Sequence, residues 1–340
     1  MLLELDGDQR LWRDTVRDVL AKECPASLVR RIADGSDNAV DTASAPLWGS
    51  YVEMGWTELT GPAETVELGL LVEELGRATD PTPFLATMTQ FTPLAPQAAD
   101  PRLTGAAVYH DVTAARAGDA WILDGTARHV LDGDRAERFA VSTPAGVFVV
   151  GAEQVSNRRV PVFDPVLHVA EVTFDGVRVG RDDRVAGSDT ESAVRAMDVA
   201  LTGLALTMVG ACQRILDLVL EHVSSRQQFG VAIGSFQAVQ HKAADMHVAI
   251  ERARALAYFG ALTISADDPR RRLAASMAKA SAGECQSLVF KHGIQLFGAM
   301  GFTWENDVQF ALKRAKAGEL MLGGAAEHRA VIAGMSLAEA

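Results

Sequence analysis

Between Val194 and Leu218 the apolar residues recur three and four positions apart, as Val194, Met197, Leu201, Leu204, Met208, Ala211, Ile215 and Leu218. In an α-helix that spacing gathers every one of them on a single stripe, and a stripe of this length needs other helices packed lengthwise against it. A second stripe follows at Phe236, Val239, Ala243, Met246, Ile250, Ala253 and Ala257, and Asp267-Asp268-Pro269 stops it. A third helix is expected from about Arg270 to Phe297, and a fourth from near Glu305. Ser188 and Glu191 have capping-box spacing, which places the first helix start just after Ser188. Residues 188–340 therefore read as a four-helix bundle.

The chain before the bundle has two further characters. From Asp8 to about Ala98 the spacing is mostly helical, with Leu11, Thr15, Val19 and Leu20 on one face and Leu68, Leu71, Val72 and Leu75 on another. A loop rich in Asp, Ser and Ala is expected from Asp34 to Pro46, and Gly76 with Pro81 and Pro83 is expected to end the second helix. From about Leu103 to Arg184 short runs replace the helical pattern: Ala120–Leu123, Phe139–Val141, Gly146–Val150, Val169–Phe174 and Val177–Val179. Asp124-Gly125, Asp132-Gly133 and Asp175-Gly176 supply turn signals between them. The expected fold is α+β and multidomain: an α-helical N-terminal domain (1–100), a small antiparallel β-domain (101–187) and the C-terminal bundle (188–340).

Length and charge narrow the function. A chain of 340 residues with 48% hydrophobic content can bury a core in each of several domains. A net charge of −12 opposes nonspecific binding to nucleic acid or an anionic membrane. Cys24, Cys212 and Cys285 are odd in number and far apart, which argues against a disulfide framework or a zinc site and for a reduced, cytoplasmic setting. The N-terminus mixes acids with apolar residues, unlike a signal peptide. No run approaches the roughly 20 uncharged apolar residues of a membrane span. His222, His241 and His247 fall on helices without a metal-ligand pattern and read as structural.

The most specific chemistry lies in RQQFGVAIGSFQAVQHKAADM, Arg226–Met246. One helix ends at Ser224-Ser225, another opens near Ser235, and Arg226 stands between them. A guanidinium beside helix N-terminal amides can hold a pyrophosphate, and Phe229 and Phe236 could cover a flat ring. A surface arginine with two core phenylalanines has the same signature. QLFGAMGFT, from Gln295, is equally double: Gly298 and Gly301 permit close backbone approach to a ligand or simply stop a helix.

Together, RQQFG…FQ and QLFGAMGFTWE resemble the Arg-x-x-Phe-Gly…Phe-Gln and Gln-x-x-Gly-Gly-x-Gly segments of the acyl-CoA dehydrogenase family. LWGSYVEMGW and LGLLVEELGRATDPTPF are similar to its N-terminal helical domain, so the resemblance spans nearly the whole chain. It implies FAD as cofactor and oxidation of acyl-CoA thioesters to 2-enoyl-CoA in dimers or tetramers, with electron-transfer flavoprotein as acceptor. It implies that Arg226 and Gln228 contact the FAD pyrophosphate, with Phe229 beside the cofactor. Phe236 and Gln237 lie where the next helix approaches it, and Gln295, Leu296 and Gly298 lie near the adenosine half. This clamp reaches across a subunit interface in the family.

The departures point further. The family's catalytic glutamate falls on Leu322 here, within KRAKAGELMLGGAAEHR, and the alternative position on the first bundle helix falls on Ala200; neither can take a proton. Glu319, Glu327 and Asp198 read as solvated or ion-paired helix residues. The stretch GTARHVLDG offers His129 and Leu131 where aromatic and hydroxyl groups flank the flavin ring in the family, and AAVYHDVTAARAGD replaces an acidic, glycine-rich loop. Such a chain resembles the smaller, degenerate subunit of the α2β2 acyl-CoA dehydrogenases of actinobacterial steroid breakdown. The expectation is a subunit with no catalytic residue and no metal, completing the flavin site of a partner that carries the glutamate. A self-sufficient homo-oligomer with a displaced base and a noncatalytic acyl-CoA or partner-binding scaffold stay open.

Overall fold

The computed structural model describes residues 4–35 and 37–338. Met1, Leu2 and Leu3 of the N-terminal segment, Ser36 of the Asp34–Pro46 stretch and the last two residues of the chain lie outside the described residues. Contacts group the chain into two compact units. The first comprises Met1–Asp34, Pro62–Asp80 and Leu201–Ala340; the second comprises Gly35–Gly61 and Pro81–Ala200.

In the first unit α1 (Gly7–Glu23), α2 (Ala26–Asp34) and α4 (Thr65–Ala78) join the C-terminal helices; α3 (Asp37–Glu53) belongs to the second unit. α1 buries Val16 and Leu20, while Leu11, expected on the inner face, is 66% exposed. α4 buries Leu68, Leu71, Val72 and Leu75 as expected. It runs through Gly76 to Ala78 and ends with Thr79 in the left-handed region (φ 58°). Gly76 is a crossing point rather than a stop, since a methyl group there would overlap the Thr207 carbonyl oxygen.

The C-terminal helices are α7 (Thr190–Ser225), α8 (Gln237–Ser265), α9 (Arg271–Phe297), α10 (Val308–Leu320) and α11 (Ala325–Ala338). They follow α5 (Phe84–Ala86) and α6 (Thr92–Leu94), two short pieces of the second unit joined by a π-helical turn at Thr87–Phe91. The seam expected on α7 holds at Leu201, Leu204, Met208, Ala211 and Ile215, all buried. Ala211 and Ile215 meet Met246, Ile250 and Ala253 of α8, Cys285 and Val289 of α9, and Leu312 and Ala315 of α10 in one core. Each large side chain in it contributes about 1.5–3 kcal/mol by leaving water. That is the four-helix core read from the spacing, with α11 packed on α9 as a fifth member. By length and composition α7 is apolar enough to cross a membrane, yet its most apolar window is 83% buried inside the protein. Its start is displaced by one residue from expectation: Asp189 Oδ1 accepts from Ser192 N and Ser192 Oγ accepts from Asp189 N, whereas Ser188 Oγ accepts from Val147 N.

The second unit departs from expectation at its start, because the segment read as a loop is helical over α3 (Asp37–Glu53), with Pro46 inside it. Alanine content outweighed the turn formers. Its strands are β1 (Gly105–Val108), β2 (Val112–Ala117), β3 (Ala120–Leu131), β4 (Arg138–Thr143), β5 (Gly146–Gly151), β6 (Ser156–Arg159) and β7 (Val169–Val179). They form sheets of order β1-β4-β5 and β2-β3-β7-β6, antiparallel throughout except that β1 pairs with β4 in parallel. Leu123, Phe139, Phe148, Val172 and Phe174 share their common core. Asp124-Gly125 and Asp175-Gly176 are not inter-strand turns. They face each other across a register shift in β3 and β7, with Asp124 Oδ1 accepting from Gly176 N at 2.8 Å. Glycine at positive φ (144° and 62°) lets two long strands bulge there without breaking.

Candidate functional site

The bend after α7 is a built feature. Ser224 and Ser225 hydroxyls return hydrogen bonds to Leu220 and Glu221 carbonyls, and Arg226 N donates to His222 O. A two-stranded hairpin follows, β8 (Gln227–Gln228) with β9 (Val231–Ala232). Its two turn residues, Phe229 and Gly230, both have positive φ, 54° and 80°. Such a turn suits Asn-Gly; phenylalanine at its first position is strained. Phe229 is nevertheless 92% exposed, touching Phe236 edge-on at 6.3 Å. Phe229→Asn is expected to stabilise the isolated chain by up to about 1 kcal/mol, read as a higher urea midpoint, because asparagine tolerates this backbone.

Ile233 N donates to Arg226 O and Ile233 packs on the bundle core, which fixes the hairpin's base. The Arg226 guanidinium is exposed and, among the described residues, has no partner. α8 opens after Phe236 with no side-chain cap, and Val239 N and Gln240 N both return to Phe236 O, leaving the Gln237 and Ala238 amides ahead of the first intrahelical bonds. Gln228 and Gln237 are exposed beside it.

The second predicted segment meets the first through His222, whose ring stacks on Phe297 at 4.7 Å. Burial, then Arg226, lowers the His222 pKa and so favours the neutral ring in this contact. Gln295 is exposed and Gly298 (φ 63°) ends α9 with open space around its α-carbon. Leu296 differs: its side chain lies in the bundle core, leaving only its backbone near the surface. The structure thus gathers Arg226, Gln228, Phe229, Phe236 and Gln237 around one hairpin, with Gln295 and Gly298 at the adjoining end of α9.

The turn after α10 carries Leu322 in the left-handed region (φ 51°), followed by Gly323 (φ 90°). Buried side chains hold it from within. Lys279 Nζ, 0% exposed, donates to Gly323 O at 2.5 Å and Glu319 O at 3.3 Å, and His328 Nε2 donates to Leu322 O at 2.9 Å. Burial lowers the Lys279 pKa to about 8 against the opposing pull of Glu319 and Glu327, and burial also lowers His328. Glu319 Oε1 accepts from Ala325 N and Glu327 Oε2 from Gly324 N, so both carboxylates cap the start of α11. Lys279 and His328 escaped the sequence reading, although a lone lysine inside AASMAKASAG was a usable signal. In the second unit Asp198 and Ala200 are buried on α7, Leu131 is buried and His129 is exposed with φ 59°.

The donor set at the bend, an unpaired guanidinium with uncapped helix amides and exposed aromatic rings, fits the phosphates and one flank of a flavin dinucleotide. It includes no side chain that takes a proton. Residues 190–337 match the family model described as acyl-CoA dehydrogenase, C-terminal domain. The chain is 30% identical over 327 residues to acyl-CoA dehydrogenase IpdE2 of Mycobacterium tuberculosis, covering 93% of each. Its fold is that of the ChsE4-ChsE5 complex from Mycobacterium tuberculosis, with a TM-score of 0.88 at 21% identity over 100% of both chains. The Tcur3481-Tcur3483 steroid acyl-CoA dehydrogenase has the same fold, with a TM-score of 0.86 at 23% identity over 98% of both. With a full-length relative at this identity and these matches along its length, the chain belongs to the acyl-CoA dehydrogenase family.

Proposed function

We propose that this chain is the noncatalytic subunit of an FAD-dependent acyl-CoA dehydrogenase, completing a flavin site whose base belongs to a partner chain in an α2β2 assembly. The observation that carries this reading is the pairing of an outward, unpartnered clamp at Arg226–Phe236 with an apolar side chain at Leu322. Arg226 would hold the pyrophosphate as a fork, and the α8 amides would add partial positive charge. Phe229 and Phe236 would exclude water along one edge of the cofactor, and the open backbone at Gly298 would allow close approach. FAD, when bound, supplies a two-electron acceptor for the β-hydride of the thioester. The α-proton goes to a carboxylate of the partner, since Leu322 and Ala200 cannot accept it. The relationship to a steroid acyl-CoA dehydrogenase supports steroid-derived acyl-CoA esters as substrates, and electron-transfer flavoprotein is the proposed acceptor.

Purified alone, the chain is expected to be colourless. Co-expressed with a glutamate-bearing dehydrogenase subunit, it should copurify as a yellow complex with about one FAD per pair, read from absorbance and subunit mass. Arg226→Ala should lower the FAD content of that complex. Stoichiometric FAD and acyl-CoA turnover by the single chain would overturn the proposal, as would an Arg226→Ala complex with undiminished flavin.

A further inference from the structure

Away from the hairpin and the Leu322 turn, residues of α1, α2, α4, α7 and α10, together with the turn before α10, line a cavity of about 270 Å³. Leu20, Leu218 and Phe310 give it an apolar lining, and Arg17, Arg77 and Arg214 bring three guanidinium groups to it. Two of these are matched. Arg17 makes a two-pronged pair with Glu74 (3.0 and 2.5 Å), and Arg77 grips Asp217 (3.2 and 2.7 Å). Asp307, the remaining acid in the lining, is held by Arg30 at 2.9 and 2.6 Å. Arg214 is half-buried, and among the described residues no carboxylate lies within ion-pair distance and no acceptor takes its protons. Asp217, Glu221 and Asp307 act on it only from farther away, while burial and then Arg77 disfavour its charge.

A part-buried cation left unmatched beside a second cation gains from one anion, and a guanidinium fork matches a carboxylate in two parallel bonds. At about 270 Å³ the cavity lies just below the roughly 300–1,000 Å³ range of pockets for drug-sized ligands, which suits a small ligand. We propose that this cavity is a binding site for a small monocarboxylate with a short alkyl or aryl body, its carboxylate on Arg214 and its body against Leu20, Leu218 and Phe310. One unmatched guanidinium sets the ligand charge, and the apolar lining sets its body.

The test titrates the purified protein, alone or with its partner, with sodium benzoate, sodium butyrate and sodium phosphate at matched ionic strength. Occupancy is read by calorimetry and saturation-transfer NMR. Benzoate or butyrate should bind saturably at one site, and Arg214→Gln should weaken that binding by about ten- to hundredfold, the effect of losing a charged hydrogen-bond pair. Arg214→Lys, which keeps the charge and loses the fork, should weaken it less and decides the matter if the glutamine variant does not fold. Absence of saturable carboxylate binding, unchanged affinity in both variants, or phosphate binding as tightly as the carboxylates overturns the assignment. The readout is independent of flavin content, so it stands or falls apart from the subunit role.

Discussion

Gly210→Ala is expected to lower the stability of the chain by roughly 2–4 kcal/mol, although alanine is favoured over glycine inside a helix by about 1 kcal/mol. Gly210 sits within α7 where it crosses α4. A β-carbon there would overlap the Glu73 carbonyl oxygen and crowd Arg77 N at 2.8 Å. Backbone atoms of a helix cannot step aside as a side chain can, so the two helices must separate. Gly76 contributes the reciprocal contact from α4 against Thr207. Separation would also disturb Glu73, which accepts from Tyr258 Oη at 2.8 Å and Arg254 Nε at 2.9 Å. Urea midpoints measure the effect. Gly334→Ala, in the exposed last turns of α11 with nothing within 4 Å, should instead be neutral or slightly stabilising. Equal midpoints for Gly210→Ala and the parent would show that the crossing tolerates a wider spacing.

The second large effect is a pH dependence centred on Lys279. Its pKa is pushed down to about 8 in the folded protein from the ordinary lysine value of 10.5, because burial disfavours the ammonium. Between these values the unfolded chain binds more protons than the folded one, so this group makes stability rise with pH across that window. Below pH 8 both states are protonated and the full penalty applies; above about 10.5 it is gone, a total change of roughly 3 kcal/mol. Cys24, Tyr109 and Tyr258 act in the opposite sense, since burial raises their pKa values and stability is lost as pH climbs past their unfolded values. The measurement is therefore the difference between the parent and Lys279→Met, by urea denaturation from pH 7 to 10.5. The parent should gain relative to the variant as pH rises. A difference that stays flat would mean that burial leaves the Lys279 pKa at its unfolded value.

The bundle was legible because its seams repeat over many turns, and a stripe such as Leu201–Ile215 has few ways to be buried. Short-range signals were weaker guides. Asp124-Gly125 and Asp175-Gly176 carry turn chemistry, yet the same positive φ serves a bulge, and only cross-strand pairing separates the two. Gly76 showed the same ambiguity between a helix stop and a close crossing. At the bend, residue types announced an anion corner, but spacing could not reveal that Phe229 stands out on a two-residue hairpin, since that depends on backbone φ. Lys279 and His328 stayed hidden because their partners are main-chain carbonyls 44 and six residues away, and carbonyls leave no mark on sequence.

Those carbonyl bonds also bear on what position 322 can carry. Lys279 and His328 hold the backbone of the turn through Gly323 O and Leu322 O, so neither bond depends on which side chain occupies position 322. What folding asks of that side chain is only that it tolerate the left-handed backbone of the turn (φ 51°). A Leu322→Glu variant should therefore keep the path of this turn, because both of the bonds that hold it end on main-chain oxygens.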